Sequence, residues 1–282
     1  MNAEIFREEL LKQLEANIGN LQDKDKAWIV KGFIDIYKNV YTISIDTKVI
    51  SKIIELMLFP IIARFAQENG LEMILAEHQN HYPDISFLDH SDNSLFALDI
   101  KSTYKLSETK VNGFTLGAFT GYFRNRDSTK NITFPYSKYN KHFVLGVIYK
   151  KQEAKNDEKK VYSIDQIDSI LSVISDFEFI LHEKYRLAIS RPGSGNTKNI
   201  GSTNDIEKLK NGDATFSKLG IEIFDDYWRY YLTKNMSPDG PPPYCNIKEY
   251  LVYKNLSDKV DLVDGIEDGL IEDDKLEPED EE

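Results

Sequence analysis

The stretch from His78 to Tyr104, HQNHYPDISFLDHSDNSLFALDIKSTY, constrains the fold of this chain more than any other part of it. Residues 95–101 read LFALDIK, and because side chains alternate along a strand, Asp99 and Lys101 project from the same face. Residues 85–88 read as a second short strand, and the polar residues between the two predict a turn. The stretch therefore predicts a β-hairpin.

This hairpin would bring two carboxylates together. If the chain turns between Ser91 and Asp92, then Asp84 faces Asp99, whereas a slip of one residue would separate them. Two opposed carboxylates repel each other and need a cation, and a hard divalent ion with oxygen ligands, Mg²⁺, fits best. From spacing alone, the alternative is a solvated strand face preceded by an ordinary turn.

The net charge of the chain, −12, lies almost entirely at one end. Residues 258–282 contain 13 acidic residues against two lysines, which leaves about −1 for residues 1–257. Basic patches on this nearly neutral body could hold a phosphate backbone, so the total charge does not exclude nucleic acid. The acidic segment lacks aromatic residues and its composition predicts disorder; it would act as a solubilising appendage or as a phosphate mimic.

Nothing in the sequence predicts a membrane span or export. The longest apolar run, residues 53–65, is interrupted by charged residues and a proline, and no basic segment followed by an apolar one opens the sequence. The one cysteine, Cys245, excludes an internal disulfide. We therefore expect a cytoplasmic protein without membrane contact.

Two helices separated by a hairpin are predicted at the start of the sequence. Residues 5–18 carry apolar side chains at i, i+4 spacing, and residues 27–45 are rich in β-branched and aromatic residues, which favour short strands. Asp46 is the expected N-cap of a long second helix. Glu55 lies on one edge of that helix, where spacing alone favours a surface ion pair with Lys52.

The rest of the body alternates predicted strands, helices and loops. The expected elements are strands at 71–77, 143–149 and 184–190, helices at 163–175, 203–211 and 219–233, a loop or short strand at 112–120 and a linker-like break at 237–244. Residues 192–202, PGSGNTKNIGS, match no nucleotide-binding glycine motif. They form either a flexible linker or a loop that approaches a ligand closely and reads adenine through asparagine.

Taken together, these segments resemble the EcoRV-like type II restriction endonucleases, a branch of the PD-(D/E)xK nuclease superfamily. The similar segments, in order, are SIDTKVISKIIELMLFPII, HQNHYPDISF, ALDIKSTY, FTLGAFT, GSGNTKNIGS, DDYWRYY and NIKEYLVY. They span residues 44–254, most of the body. The resemblance implies an α/β (α+β) fold in which helices flank a mixed central sheet that carries a DNA-recognition subdomain.

The resemblance also implies catalytic roles. Asp84, Asp99 and Lys101 match the catalytic triplet of the superfamily. The two carboxylates would hold Mg²⁺, with up to two ions per protomer, and Lys101 would position the attacking water. Glu55 matches a helix carboxylate that assists metal binding, which replaces the interpretation of this residue as half of a surface pair.

A DNA-binding set follows from the same resemblance. Its members lie in segments that contact the backbone, the minor groove or the base edges: Lys48, His78, Gln79, Asn80, Thr103, Tyr104, Thr120, Lys130, Gly193, Ser194, Gly195, Asn196, Thr197, Lys198 and Asn199. Asn196 and Thr197 are the expected base readers. The sequence departs from the pattern at His78, Gly121 and Lys198, which replace glutamine, serine and threonine, and in its acidic tail.

The implied function is that of a type II site-specific deoxyribonuclease. The expected site is the palindrome GATATC, cut at its centre to leave blunt ends with 5′-phosphates. A twofold site requires a twofold protein, so we expect a homodimer, paired in the cell with a cognate adenine DNA methyltransferase. Residues 1–45 would form the dimerisation region, 46–254 the catalytic and DNA-recognition body, and 255–282 the disordered tail.

Two other functions stay open at the level of sequence. A repair-type or structure-specific nuclease with the same fold would not need the long loop at 192–202. A catalytically silent DNA-binding module would not need the complete set of Asp84, Asp99 and Lys101. Cleavage assays distinguish the three hypotheses.

Overall fold

The structure, a computed structural model, describes residues 1–78, 80–153, 156–193, 198–238 and 240–263, and these residues form six α-helices and eleven β-strands. The helices are α1 (Ala3–Ala16), α2 (Thr47–Glu68), α3 (Lys184–Leu187), α4 (Ile206–Asn211), α5 (Ile221–Tyr230) and α6 (Ile247–Tyr253). The strands are β1 (Gly32–Ile34), β2 (Asn39–Thr42), β3 (Leu71–Leu75), β4 (Ile85–Asp89), β5 (Ser94–Tyr104), β6 (Thr115–Ala118), β7 (Lys141–Lys151), β8 (Val161–Ser163), β9 (Ile174–Glu183), β10 (Ala188–Pro192) and β11 (Asn199–Ser202).

A five-stranded sheet in the order β3-β4-β5-β7-β9 forms the centre of the molecule. Strands β5 and β7 run parallel, and the other neighbouring pairs run antiparallel. Strands β5 and β7 are buried over most of their length because both are central. The expected α/β fold, a mixed sheet flanked by helices, is confirmed.

Helices α1 and α2 cover one face of this sheet. Phe6 of α1 packs against the rings of Phe87 and Phe96 of the sheet and Phe65 of α2, with centroid distances of 4.9–5.3 Å. The N-cap prediction for α2 is confirmed, because the Asp46 carboxylate accepts hydrogen bonds from the backbone N–H groups of the first turn. This cap fixes where α2 begins, beside Ser102 to Tyr104 at the end of β5.

The opposite face carries a smaller sheet and an aromatic cluster. The sheet has the order β10-β11-β6, so β6 lies in the same layer as the two strands that flank residues 193–198. Helices α5 and α6 pack behind it through Tyr227, Trp228 and Tyr250, which are buried together with Tyr244 from the segment between the two helices. No helix in the described residues is both long and apolar enough to cross a membrane.

Two element predictions are wrong. Residues 163–175 form a short 3-10 helix, Ile164–Ser169, and then enter β9, because Val173 and Ile174 are β-branched and are buried in the core of the sheet. Residues 184–190 begin as α3 rather than as a strand, and β10 follows.

The segment predicted as a tail begins with ordered structure. Residues 257–262 form a 3-10 helix that contacts α6, and Val263 is fully buried. Leu256 and Val260 pack against the same core as α6. The packed body therefore extends to Val263, and residues 264–282 lie outside the described part of the chain.

Candidate active site

The β4–β5 hairpin places two carboxylates opposite each other. Ile85 pairs with Leu98 and Phe87 with Phe96, so Asp84, which directly precedes β4, is aligned with Asp99 in β5. This is the register expected from the turn position. The Asp84 Oδ2 accepts a hydrogen bond of 2.6 Å from the Ile100 backbone N–H, which holds the carboxylate against the edge of the strand.

Lys101 lies on the same face of β5 as Asp99. Its Nζ is 2.7 Å from Asp99 Oδ2, and the Lys101 side chain is 26% exposed against 7% for Asp99. The same carboxylate oxygen is buried and accepts no well-oriented hydrogen bond from the described residues. Asp99 therefore keeps electron pairs available for another cation.

Burial and mutual repulsion perturb the ionisation of this group. Burial, and next the charge of Asp99, raise the pKa of Asp84 to about 7, against the opposing effects of Lys101 and the Ile100 N–H. Burial acts to lower the pKa of Lys101, but the charges of Asp99 and Asp84 outweigh it and the pKa is raised. Titratable groups perturbed in this way concentrate at catalytic sites.

We expect Asp84→Asn to stabilise the metal-free protein by on the order of 1–3 kcal/mol at pH 8. The asparagine amide oxygen can still accept the hydrogen bond from the Ile100 N–H, but the variant no longer carries the free-energy cost of ionising a buried carboxyl beside Asp99. Because folding raises the pKa of Asp84 from 3.8 to about 7, this penalty is complete above pH 7, shrinks as the pH falls towards 3.8 and disappears below it. Thermal unfolding in EDTA at pH 8 and pH 5 tests this; an equal gain at both values would contradict it.

A cleft of about 560 Å³ opens in front of this hairpin. It brings together seven residues that the sequence had assigned to the site: Asn80, Asp84, Asp99, Lys101, Thr120, Lys130 and Asn199. Strand β6 and the start of β11 form the opposite wall. The β4–β5 hairpin and the base of the glycine-rich segment therefore line one cavity.

Glu55 does not line this cleft. Its carboxylate pairs with Lys52 Nζ at 2.7 Å, as the helix spacing alone had favoured, and its side chain is 24% exposed. Its charge nevertheless contributes to the raised pKa values of both Asp84 and Lys101. Glu55 is therefore close enough to act on the hairpin through its charge, although its side chain does not line the cleft.

The residues present fit a divalent cation held by two carboxylates. In the described residues, no three His, Cys, Asp or Glu side chains are grouped closely enough to hold an ion among themselves. Asp84 and Asp99 are opposed, and the buried Asp99 Oδ2 accepts no well-oriented hydrogen bond from the described residues, although Lys101 Nζ lies 2.7 Å away. A hard cation that takes its remaining ligands from water or a phosphate suits this donor set.

A second pocket of about 280 Å³ contains the N-terminal turn of α2 and the end of β5. Lys48 and Tyr104 line it, and Lys48 is exposed. Thr103 also lines it but is 3% exposed, and its hydroxyl donates a hydrogen bond of 3.3 Å to the Gly113 carbonyl. Of these three predicted backbone contacts, Lys48 and Tyr104 have the more open side chains.

Several predicted DNA-binding residues lie outside the described part of the chain: Gln79, Ser194, Gly195, Asn196 and Thr197. The ends of both loops are described. Gly193 N–H donates to the Asn199 carbonyl at 3.0 Å, and Phe119 N–H donates to the Lys198 carbonyl at 2.9 Å. His78 is exposed, and its ring meets that of His81 edge to face at 4.7 Å.

Sequence reasoning missed an aromatic layer beneath the cleft. The Tyr82 ring stacks on Tyr122 at 5.1 Å, and its hydroxyl hydrogen-bonds His142 Nδ1 at 2.9 Å. His142 in turn stacks on Tyr136 at 3.8 Å. The position of Tyr82 two residues before Asp84 was the one sequence signal that could have placed this layer near the site.

Comparisons of the sequence and of the fold find similar proteins. A family model described as Restriction endonuclease EcoRV matches residues 24–255. The type II restriction enzyme EcoRV of Escherichia coli is 35% identical over 236 residues, which cover 83% of this chain and 94% of that protein. The NlaIV restriction endonuclease structure has a TM-score of 0.40 at 13% identity, covering 70% of this chain and 67% of that one. The family match spans every residue that lines the cleft.

Proposed function

We propose that this chain, which belongs to the EcoRV family of restriction endonucleases, cuts double-stranded DNA at the palindrome GATATC in a reaction that depends on Mg²⁺. The observation that carries the catalytic part is the opposed pair of Asp84 and Asp99 with Lys101 beside it, in a cleft bounded by the recognition-loop strands. The specificity rests on the similarity of residues 193–199 to the base-reading loop of the family.

In the proposed mechanism Asp84 and Asp99 hold the metal ion and Lys101 acts on the attacking water. The ion, when bound, supplies positive charge that offsets the negative charge developing on the phosphate. Lys101 carries three donors on a flexible stem, so it can leave Asp99 to orient the water and stabilise the transition state. Attack in line with the leaving 3′-oxygen gives a 5′-phosphate.

Cleavage at the centre of GATATC would leave blunt ends. The central TA step is a flexible pyrimidine–purine step, so bending it contributes to specificity without direct base contacts. Asn80, Thr120 and Lys130 in the cleft, with Lys48 and Tyr104 in the second pocket, would contact the DNA backbone and grooves. Glu55 would assist metal binding through its charge.

Plasmid digestion tests the function directly. With Mg²⁺, the full-length protein should linearise a plasmid that holds one GATATC site, and sequencing should place the cut at its centre with 5′-phosphates. A plasmid that differs by one base pair in the site is the matched control and should be cut about five- to a hundredfold more slowly at the same subsaturating enzyme concentration, because one wrong base pair costs about 1–3 kcal/mol of binding. Absence of any sequence-specific cut by folded protein would refute the proposal.

A homodimer is part of the proposal, with the β1–β2–β8 sheet as its interface. Phe33 pairs with Tyr41, and Tyr41 pairs with Val161, so the three side chains form one row across the sheet. They are 53%, 46% and 50% exposed, an apolar row that a monomer would leave in water. A twofold contact through this row would set two active sites on one palindrome.

Phe33→Asp should convert the dimer to a monomer, because two carboxylates would meet at the proposed interface. Analytical ultracentrifugation at micromolar concentration measures the change, and we expect the dissociation constant to rise at least about a hundredfold. Val252→Asp, at a position with similar exposure on α6 (58%), is the matched control. A dimer that survives Phe33→Asp unchanged would place the interface elsewhere.

A cognate adenine methyltransferase would protect the host DNA from this activity in the cytoplasm. The proposal predicts that methylation of adenine in GATATC blocks cleavage, since a methyl group on N6 removes a donor that an asparagine can read. A neighbouring methyltransferase gene would support the pairing.

A further inference from the structure

Lys184 is a buried lysine without a carboxylate partner, and neither its sequence context nor the family resemblance gave it a role. It opens α3 and is 2% exposed. Among the described residues, its Nζ makes no ion pair or hydrogen bond; instead it lies 4.1 Å from the ring centre of Tyr82 and 5.8 Å from that of Tyr136. Aromatic faces replace only part of the hydration that a buried ammonium loses, so the charge is retained at a cost.

The Lys184 ammonium lies directly behind the wall of the catalytic cleft. Tyr82 and Gly117 both line the cleft, and a Cβ on Gly117 would stand 3.7 Å from this Nζ. Burial lowers the pKa of Lys184 to about 8, and the charge of Asp99 is the largest influence that raises it. Lys184 is therefore electrostatically coupled to a catalytic carboxylate.

The other charged groups that face Lys184 leave Asp99 as its principal anion. Lys101 repels it, as a second cation beside the same carboxylate. Arg126 and Asp225 act on it with opposite signs and pair with each other at 2.5 Å, so their effects largely cancel.

With Lys184 included, the charges around the two carboxylates nearly balance. When both are ionised, Asp84 and Asp99 bring two negative charges, and Lys101 and Lys184 bring two positive ones. Glu55 is already paired with Lys52. The centre is thus close to neutral before DNA binds, and a divalent cation that enters it adds positive charge with no local compensation.

We propose that Lys184 is an internal counter-ion of the catalytic carboxylates, which weakens divalent-metal binding until a DNA phosphate brings further negative charge into the cleft. This inference rests on the proposed function, because it takes Asp84 and Asp99 to be the metal ligands. Lys184 touches neither the metal nor the DNA in this role. It acts through its charge from behind the aromatic layer.

The Lys184 charge weakens divalent-metal binding whether or not one of the two carboxylates is protonated. A divalent ion brings two positive charges and displaces at most one proton from the coupled pair of Asp84 and Asp99. Metal binding therefore always increases the positive charge near Lys184. Neutralising Lys184 must strengthen metal binding if the ammonium acts on the site through charge.

Lys184→Met is the direct test, because methionine is neutral, of similar length and suited to an aromatic environment. The full-length, DNA-free protein is titrated with Ca²⁺ by isothermal titration calorimetry at pH 7.5. We expect the variant to bind Ca²⁺ at least about fivefold more tightly than the wild type. Adding cognate DNA should increase the Ca²⁺ affinity of Lys184→Met by a smaller factor than it increases the Ca²⁺ affinity of the wild type.

Lys105→Met is the matched control, since it removes the same charge from a lysine held by Asp176 and Glu178. Its Ca²⁺ affinity should change by less than about twofold. Lys184→Gln gives a second neutral variant, and thermal unfolding verifies that each protein tested is folded. Unchanged or weaker Ca²⁺ binding by a folded neutral variant would overturn the counter-ion role.

Asp99→Asn separates failure of this inference from failure of the proposed function. It should remove Ca²⁺ binding in the wild-type background and in the Lys184→Met background. Ca²⁺ binding that survives Asp99→Asn in both would mean that the ion is held elsewhere, which overturns the proposed metal site together with the inference. Loss of binding in Asp99→Asn, with no gain in Lys184→Met, would overturn the inference alone.

Discussion

Asp99→Ala should abolish DNA cleavage, with a loss of at least about a thousandfold in the single-turnover rate at saturating Mg²⁺. Asp99 provides a buried oxygen that accepts no well-oriented hydrogen bond from the described residues, and it is the carboxylate opposed to Asp84. Its removal leaves one carboxylate to hold the ion and leaves Lys101 without its 2.7 Å partner. Neither Asp84 nor Glu55 can replace it, because each is positioned by a different element.

The fold should survive this substitution. Strand β5 is held by backbone hydrogen bonds to β4 on one side and β7 on the other, and these do not involve the Asp99 carboxylate. Alanine also relieves the repulsion that raises the pKa of Asp84. Sedimentation and circular dichroism should therefore report a folded protein with the association state of the wild type.

Asp92→Ala is the matched control for Asp99→Ala. Asp92 lies in the turn of the same hairpin, and its side chain is 50% exposed. Its removal should change the cleavage rate by less than about threefold, since a surface carboxylate outside the cleft contributes little to the reaction. Normal cleavage by Asp99→Ala would refute the assignment of the metal site to this hairpin.

The β4–β5 hairpin could be predicted from sequence because its determinants are local. Alternation along residues 95–101 predicted the strand face. A turn centred between Ser91 and Asp92 was assumed, and the structure has the register in which it aligns Asp84 with Asp99. The start of α2 was equally local, because Asp46 caps it with its own side chain. Where neighbouring residues determine a local structure, the sequence pattern is sufficient to predict it.

The sequence-based predictions failed where the local structure depends on packing against residues that are distant in the sequence. Ser163 begins a turn that looks helical, but the segment becomes β9 because β7 offers it a full antiparallel partner. Lys184 lies in the sequence HEKYRL, which by itself predicts a solvated charge. Its burial depends on Tyr82 and Tyr136, which are far away in sequence, and so its relation to the site could not be predicted.

Lys101→Met should reduce the cleavage rate by about a hundredfold to ten-thousandfold at saturating DNA and Mg²⁺, the range typical of a lost catalytic proton-handling or charge-stabilising group. Lys101 is the lysine whose Nζ reaches the carboxylates from inside the cleft, whereas Lys184 approaches them from behind its wall. The loss should appear in the rate at saturation rather than in DNA affinity, because one buried cation contributes little to the phosphate contacts.

Lys130→Met is the comparison that distinguishes a role of Lys101 in the cleavage step from a role in DNA binding. Lys130 lines the same cleft but is exposed, so its removal should weaken DNA binding and reduce the salt dependence of binding by about one unit while leaving the saturated rate nearly unchanged. Lys101→Arg keeps the positive charge but not the compact ammonium, and it should not restore activity, because the guanidinium plane cannot take the same position beside Asp99. Restoration by Lys101→Arg, or a Lys101→Met defect confined to DNA affinity, would show that Lys101 contributes bulk charge rather than a positioned donor.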